Sequence, residues 1–215
     1  MSAPSPAPSP RGRFITFEGI DGAGKSTQHA RLIDYLRDKG VTVVASREPG
    51  GTPLGEKLRT LLLGDSMHLE TEALLMFAAR REHIAQVIEP ALMRGDWVVC
   101  DRFTDASVAY QGGGRGLPLT KLQQLATWVQ GDLRPDLTLV FDAPVELAQA
   151  RVRSGTTNPD RFEQEQNEFF QRVRQAYLAI AANEPLRVKV INATQSPEKI
   201  ATEVKALVDK VYLIH

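Results

Sequence analysis

The chain is poor in cysteine, in net charge and in long apolar runs, and each shortage excludes something. One cysteine, Cys100, among 215 residues excludes an internal disulfide and suits a reducing compartment. It ends the apolar run Trp97-Val98-Val99-Cys100, so a buried structural thiol is expected rather than a reactive one. Basic and acidic residues balance at 26 each, which removes any global pull toward nucleic acid or an anionic membrane. No apolar run approaches the roughly 18 residues that span a bilayer. The first ten residues are nearly all Ser, Ala and Pro, without the apolar centre of a signal peptide or the arginines of a transit peptide. Residues 1–12 are therefore expected to be a disordered tail, and 13–215 a single domain with chain enough for a sizeable core. The expected setting is cytoplasmic, with neither nucleic acid nor membrane as a partner.

What is present is concentrated at Gly19 to Ser26, Gly-Ile-Asp-Gly-Ala-Gly-Lys-Ser, which satisfies G-x-x-x-x-G-K-[ST] at every fixed position. Phe14 to Glu18 reads as a buried strand before it, and Thr27 to Lys39 as a helix after it, with Leu32, Ile33 and Leu36 on one face. Strand, glycine loop and helix start are the context of a phosphate-binding loop. Glycines let backbone N–H groups converge on a polyphosphate while the helix presents its positive end. The loop positions Gly19, Ile20, Asp21, Gly22, Ala23 and Gly24, with Thr27 at the helix start, are expected to wrap ATP. Lys25 can reach the β- and γ-phosphates, and the Ser26 hydroxyl can ligate Mg2+.

Five short apolar runs alternate with helical patterns: 14–18, 41–46, 97–100, 137–141 and 188–191. Long helices are expected over about 70 to the low nineties and over 163–183. Thr52 reads as an N-cap with Pro53 behind it, and Ser196 as another with Pro197. This alternation means an α/β fold, a five-stranded parallel sheet with helices on both faces. Ligands of such sheets gather beyond the carboxyl ends of the strands. The phosphate loop, Arg47-Glu48, Asp101-Arg102 and Asp142 all follow strand ends, so they should line one edge.

Four stretches argue for phosphoryl transfer beyond mere nucleotide binding. The variable positions of the phosphate loop carry no basic residue, yet the transferring group needs positive charge. Arg151, Arg153 and Arg161 bracket the segment 154–159, which could close as a lid (about 151–162) and bring them in. The alternative is a solvated helix end whose arginines favour the dipole. Asp101 could hold the water shell of Mg2+ opposite Ser26, with Asp142 a rival by spacing, and Arg102 could take an anionic acceptor bidentately. Asp101 could equally be a turn-starting residue. Arg47-Glu48-Pro49-Gly50-Gly51-Thr52 offers a close backbone and a second candidate phosphate clamp, Arg47, or else a plain connector. Finally, Phe77 and Arg81 are four apart on a helix and could stack on a nucleobase and bond its edge. On the residues alone the plainer reading is favoured, with Phe77 in the core and Arg81 in an ion pair.

Phe-Glu-Gly-Ile-Asp-Gly-Ala-Gly-Lys-Ser, Arg-Glu-Pro-Gly-Gly-Thr, Asp-Arg-Phe, Ala-Tyr-Gln-Gly-Gly-Gly-Arg-Gly and Arg-Pro-Asp-Leu-Thr-Leu together resemble thymidylate kinases of the bacterial type, in the family's order from about Arg13 to the last helix. The resemblance implies Mg2+- and ATP-dependent phosphorylation of dTMP to dTDP on a P-loop kinase fold with a mobile lid, usually as a homodimer. By position it makes Asp21 the holder of the sugar 3′-hydroxyl, Phe77 the ring stacked on thymine and Arg81 its edge donor. It makes Arg102 the clamp on the dTMP phosphate with Arg47 nearby. Tyr110 and Gln111 line the sugar and base pocket, joined on the acceptor side by Pro49, Leu61 and Ser107. Ser26, Asp101 and Glu48 are assigned to the metal, and the loop 192–196, with Thr194, to the adenine side. Lid arginines match the subgroup whose phosphate loop lacks a basic residue. Ala106 stands where bacterial relatives often carry Ser. The rival readings are a deoxynucleoside kinase, with Glu48 or Asp101 as base for a hydroxyl acceptor, and a nucleotide-dependent switch with no second pocket.

Overall fold

The computed structural model describes residues 11–155 and 160–213. The chain alternates between five strands and helices: β1 Phe14–Glu18, α1 Lys25–Asp38, β2 Val43–Arg47, α2 Pro53–Gly64, α3 Leu69–His83, α4 Glu89–Met93, β3 Trp97–Asp101, α5 Thr104–Ser107, α6 Leu119–Gln130, β4 Leu137–Asp142, α7 Val145–Gly155, α8 Asn167–Asn183, β5 Val188–Asn192 and α9 Pro197–Val208. All pairings are parallel, in the order β2-β3-β1-β4-β5. The central β1 is buried at all five positions, as a strand covered on both faces must be. Successive residues alternate between two apolar clusters. Phe14, Val98 and Cys100 pack with Phe77, Ile88 and Phe103, while Ile15, Phe17 and Val99 pack with Leu32, Phe141 and Tyr177.

The expected caps form. Thr52 Oγ1 accepts from Gly55 N at 2.9 Å, and Ser196 Oγ accepts from Lys199 N at 3.4 Å, each with proline in the first turn. Three boundaries differ from expectation. The long helix is α3 and α4 joined through a wide π-helical turn, Ile84–Ile88, so Pro90 falls at the start of α4, where its missing N–H costs nothing. The helix expected from residue 163 begins at Asn167. Asp160 closes its own turn first, its Oδ1 accepting from Phe162 N and Glu163 N while Glu163 returns a carboxylate to Asp160 N. Arg11 and Gly12, expected in the tail, are held by the domain: Gly12 N donates to Leu92 O at 2.9 Å and Arg11 pairs with Asp136 at 3.1 Å. Residues 1–10 and the middle of the expected lid, 156–159, lie outside the described residues. Cys100 is fully buried, and burial pushes its thiol pKa well up, which suits a structural residue.

Candidate active site

Each strand of the sheet delivers a polar group to the same edge. β1 runs into the phosphate loop, β2 into Glu48, β3 into Asp101-Arg102, β4 into Asp142 and β5 into Asn192. The backbone stitches the first three together: Glu48 N donates to Asp101 O, and Arg102 N to Phe17 O, both at 2.9 Å.

The loop is held in a shape that side chains would block. At Gly22, φ is +80° and a Cβ would lie 2.1 Å from Ala148 O on α7. At Gly24 the backbone is left-handed and caps α1 with no side-chain bond, so the first-turn N–H groups face outward for an anion. Lys25 folds back over the loop, donating to Gly19 O and Ile20 O at 3.0 Å, with Asp21 3.5 Å away. Burial, then the neighbouring Arg102 charge, lowers its pKa. Ser26 and Thr27 are exposed at the helix start. Asp101 Oδ1 is buried and accepts no hydrogen bond among the described residues. An acceptor left open in that way, across the edge from the Ser26 hydroxyl, fits the water shell of a hard divalent cation. Asp142, the rival by spacing, is committed to a bidentate pair with Arg174 at 2.6 and 2.9 Å.

Beside the loop lies a cavity of about 180 Å³, open at its mouth. Arg102 stands at the junction. Its φ of +71° is a left-handed conformation rare outside glycine, a local strain of the kind that collects at functional sites. Nη2 donates to Asp21 Oδ1 at 2.5 Å and to Tyr110 Oη at 2.9 Å, and Nη1 meets Tyr177 Oη at 3.4 Å. Burial opposes charge on both Arg102 and Asp21. Their mutual attraction wins, so the guanidinium sits well above its usual pKa and the carboxyl well below. Behind them Glu18 ends β1, accepting from Phe103 N and Tyr177 Oη at 2.7 Å. Burial, then the Asp105 charge, pushes Glu18 up to about 8 against the pull of Arg102.

Several expected residues sit elsewhere. Phe77 is buried in the core, and Arg81 reaches outward to Val129 O at 2.7 Å and to Glu89. The two do share a helix face, but that face packs on the sheet and on α6. The structure places Phe77 in the core and Arg81 in an ion pair, and neither lines the cavity where the resemblance would have them meet a base. One step back around the helix, Met76 and Arg80 line the cavity. Arg80 is buried and clamped: Nε donates to Glu48 Oε2 at 2.7 Å, and Nη2 to Phe103 O and Ser107 Oγ at 3.1 Å. Its Nη1 is buried with no hydrogen-bond partner among the described residues. Phe77 backs it, with the guanidinium carbon 4.5 Å from the ring centroid. Glu48 has both oxygens engaged, by Arg80 and by His83, so it is an anchor for Arg80 and not an open metal ligand.

Leu61 points to solvent, and Leu63 lines the cavity in its place. Arg47 pairs with Glu56 at 3.0 Å outside the cavity, whereas Arg59, which sequence reasoning passed over, lies on its wall, donating to Pro49 O at 3.0 Å. Burial, then Arg47, lowers the Arg59 pKa, with Arg102 adding to the repulsion. Cations that repel one another across a cavity make a place for an anion. The signal was in the sequence: Arg59 and Leu63 are four apart on α2, as Met76 and Arg80 are on α3. Gln111 donates to Glu72 at 2.8 Å beside Ser107 and Ala106.

The lid arginines divide. Arg161 is held by Leu62 O and Glu72, on the acceptor side of the edge and away from the phosphate loop. Arg151 reaches Gly22 O at 3.4 Å and Ala193 O at 3.3 Å, tying the phosphate loop to the loop after β5, where Thr194 closes on Asn192. Arg153 is exposed and pairs with nothing among the described residues.

A family model, Thymidylate kinase, matches residues 17–204. The chain belongs to the thymidylate kinase family. It is 61% identical over 200 residues to a thymidylate kinase of Cupriavidus pinatubonensis, covering 92% of this chain and 98% of that one. Over 194 residues it is 59% identical to one from Methylobacillus flagellatus, covering 90% and 95%. The crystal structure of thymidylate kinase from Ehrlichia chaffeensis superposes with a TM-score of 0.76 at 38% identity, covering 93% of this chain and 99% of that one. Membership makes the protein an enzyme, a nucleoside monophosphate kinase of the P-loop fold.

Proposed function

We propose that the protein transfers the γ-phosphoryl group of ATP to the phosphate of dTMP, giving dTDP, with Mg2+. The observation that carries the acceptor assignment is the cavity itself. Arg102, Arg59 and Arg80 all line it, and the Nη1 of Arg80 has no hydrogen-bond partner among the described residues, which leaves it the donor we assign to the base. An arginine can only donate, so it suits a base whose edge offers a carbonyl. Met76 also lines the cavity, a polarizable surface for a pyrimidine face. Asp21 and Tyr110, already bonded to Arg102, stand where the sugar would lie.

The acceptor phosphate has a second pKa of about 6 and is mostly dianionic at neutral pH, so no general base is needed. The protein's task is to hold two repelling anions in line and neutralise the transferring group. Lys25 leaves its loop carbonyls for the β- and γ-phosphates. Arg102 exchanges part of its contact with Asp21 for the acceptor phosphate. Ser26 and Asp101 would hold the cation, which supplies charge neutralisation at the phosphates. Arg153, the unpaired member of the lid set, is the arginine we assign to the transferring group, and Arg151 holds the adenine-side loop. A deoxynucleoside kinase would need a free carboxylate base; both oxygens of Glu48 are taken, and Asp101, the other candidate, is the residue we assign to the cation.

We further infer a homodimer through α3 and α6, where Leu74 and Trp128 are 53% and 82% exposed around a shallow apolar depression. Among the described residues no helix is long and apolar enough to cross a membrane, and the single buried free thiol, Cys100, suits the reducing, cytoplasmic setting we propose. The test of function is a coupled ADP-release assay with ATP and Mg2+ across dTMP, dUMP, dCMP, thymidine and no acceptor. Release that depends on dTMP, weaker with dUMP and absent with thymidine, is expected. Release with thymidine alone, or with no acceptor, overturns the assignment.

A further inference from the structure

The stretch Arg80-Arg81-Glu82-His83 ends on a buried residue that the reaction does not use. His83 is fully buried at the end of α3 and does not line the acceptor cavity. Its ring is nevertheless bonded at both nitrogens: Nδ1 donates to Glu48 Oε1 at 2.9 Å, and Nε2 meets Ser46 Oγ at 2.6 Å. The other Glu48 oxygen accepts from Arg80 Nε at 2.7 Å. Ser46, His83, Glu48 and Arg80 thus form one chain from β2 to the cavity. Every link is side chain to side chain and mostly buried, and it ends on the single unpartnered Nη1 of Arg80. The loop after β2 is shaped around the imidazole. Gly51 has φ +78°, and a Cβ there would lie 2.7 Å from His83 Cδ2 and Nε2.

A free guanidinium on a long side chain samples many rotamers and selects little. One held at Nε and at Nη2 can aim its remaining N–H in only one direction. We propose that His83, acting through Glu48 and braced by Ser46, is a positioning residue that sets the enzyme's preference for a pyrimidine with a carbonyl at position 4 over one with an amino group. Thymine's 4-carbonyl accepts from Arg80 Nη1. Cytosine's 4-amino group donates, and would leave two donors facing each other in a buried site. This rests on the reading of the cavity as the dTMP base pocket, and the experiment separates the two.

Steady-state kinetics with ATP and Mg2+ on the full chain, using dTMP and dCMP as acceptors, are compared for wild type, His83→Ala, His83→Asn, Ser46→Ala and Arg80→Met, with a melting temperature for each. His83→Ala should lower the dTMP-to-dCMP ratio of kcat/KM about tenfold, mainly through the KM for dTMP, with the KM for ATP unchanged. His83→Asn, whose amide N–H can replace Nδ1–H, should restore most of the ratio. A structural loss alone would lower both acceptors by one factor, and that result overturns the proposal. If His83→Ala is unfolded at assay temperature, Ser46→Ala carries the test: a lowered ratio supports the chain and an unchanged one overturns it. A ratio that Arg80→Met leaves untouched overturns the reading of the pocket. A ratio that Arg80→Met abolishes and His83→Ala spares overturns this inference alone.

Discussion

Around Lys25 the partners are backbone: Gly19 O, Ile20 O and the outward N–H groups of a helix start, with Ser26 and Thr27 exposed beside them. Around Arg102 and Arg80 the partners are mainly side chains: Asp21 of the phosphate loop, Glu48 after β2, Ser107 of α5, Tyr110 in the turn after it and Tyr177 of α8. The grip on the polyphosphate is thus built from one continuous stretch, and the acceptor side from several that meet only on folding. A backbone site grips any polyphosphate. A side-chain site can tell one base from another, because each donor is fixed by its neighbours.

Replacing one cation from each side breaks that comparison most sharply. Lys25→Ala should lower kcat by about 10³-fold, the scale of losing a preorganised donor at developing charge, while dTMP still binds by calorimetry. Arg102→Ala should raise the KM for dTMP and cut kcat together. Steady-state constants unchanged in Arg102→Ala would remove its role, and loss of dTMP binding in Lys25→Ala would show that the two sides are not separable.

Next in size is the choice between lid arginines. Arg153→Ala should lower kcat about 10²-fold with little change in either KM, whereas Arg151→Ala should chiefly raise the KM for ATP, since its contacts are with Gly22 and Ala193. The reverse pattern would exchange their roles.

A smaller effect separates core from pocket on α3. Phe77→Ala should cost about 3–5 kcal/mol of stability, read by denaturant unfolding, because it empties a packed core position. Met76→Ala should cost far less stability and raise the KM for dTMP several-fold. If Phe77→Ala instead changed the KM of a fully folded enzyme, the pocket assignment would return to Phe77.

That pair also shows how far the sequence could be read. The strand order of residues, the caps at Thr52 and Ser196, and the phosphate loop were legible because each depends on local chemistry or on a period within one element. Asp21, Arg102, Tyr110, Ser107 and Gln111 converge on one cavity, as the strand-end rule and the family likeness implied. What failed was rotation about a helix axis. Phe77 and Arg81, or Met76 and Arg80, satisfy the same four-residue spacing, and only packing against Phe14 and Phe103 decides between them. Leu61 against Leu63 is the same question on α2, whereas Arg47 ends β2 and pairs with Glu56 outside the cavity that Arg59 lines. Glu48 was misread for another reason. A carboxylate at a strand end offers itself to a metal until its partners are known, and Arg80 and His83 come from a helix some thirty residues on.

The smallest effect tests the support beneath the acceptor side. Glu18 ends β1 just before the phosphate loop, and burial raises its folded pKa from 4.5 to about 8. Between those values the folded protein keeps a proton that the unfolded chain releases. Stability from this group is therefore complete below about pH 4.5 and is lost as pH rises toward 8, with a slope of at most about 1.4 kcal/mol per pH unit. Glu18→Gln keeps an oxygen for Phe103 N–H and removes the titration. Urea unfolding from pH 5 to pH 8 should show wild type losing stability relative to the variant across that window. Parallel curves would mean that Arg102, Phe103 N–H and Tyr177 hold the carboxylate ionised. The acceptor side would then be braced by a charge and not by a protonated acid.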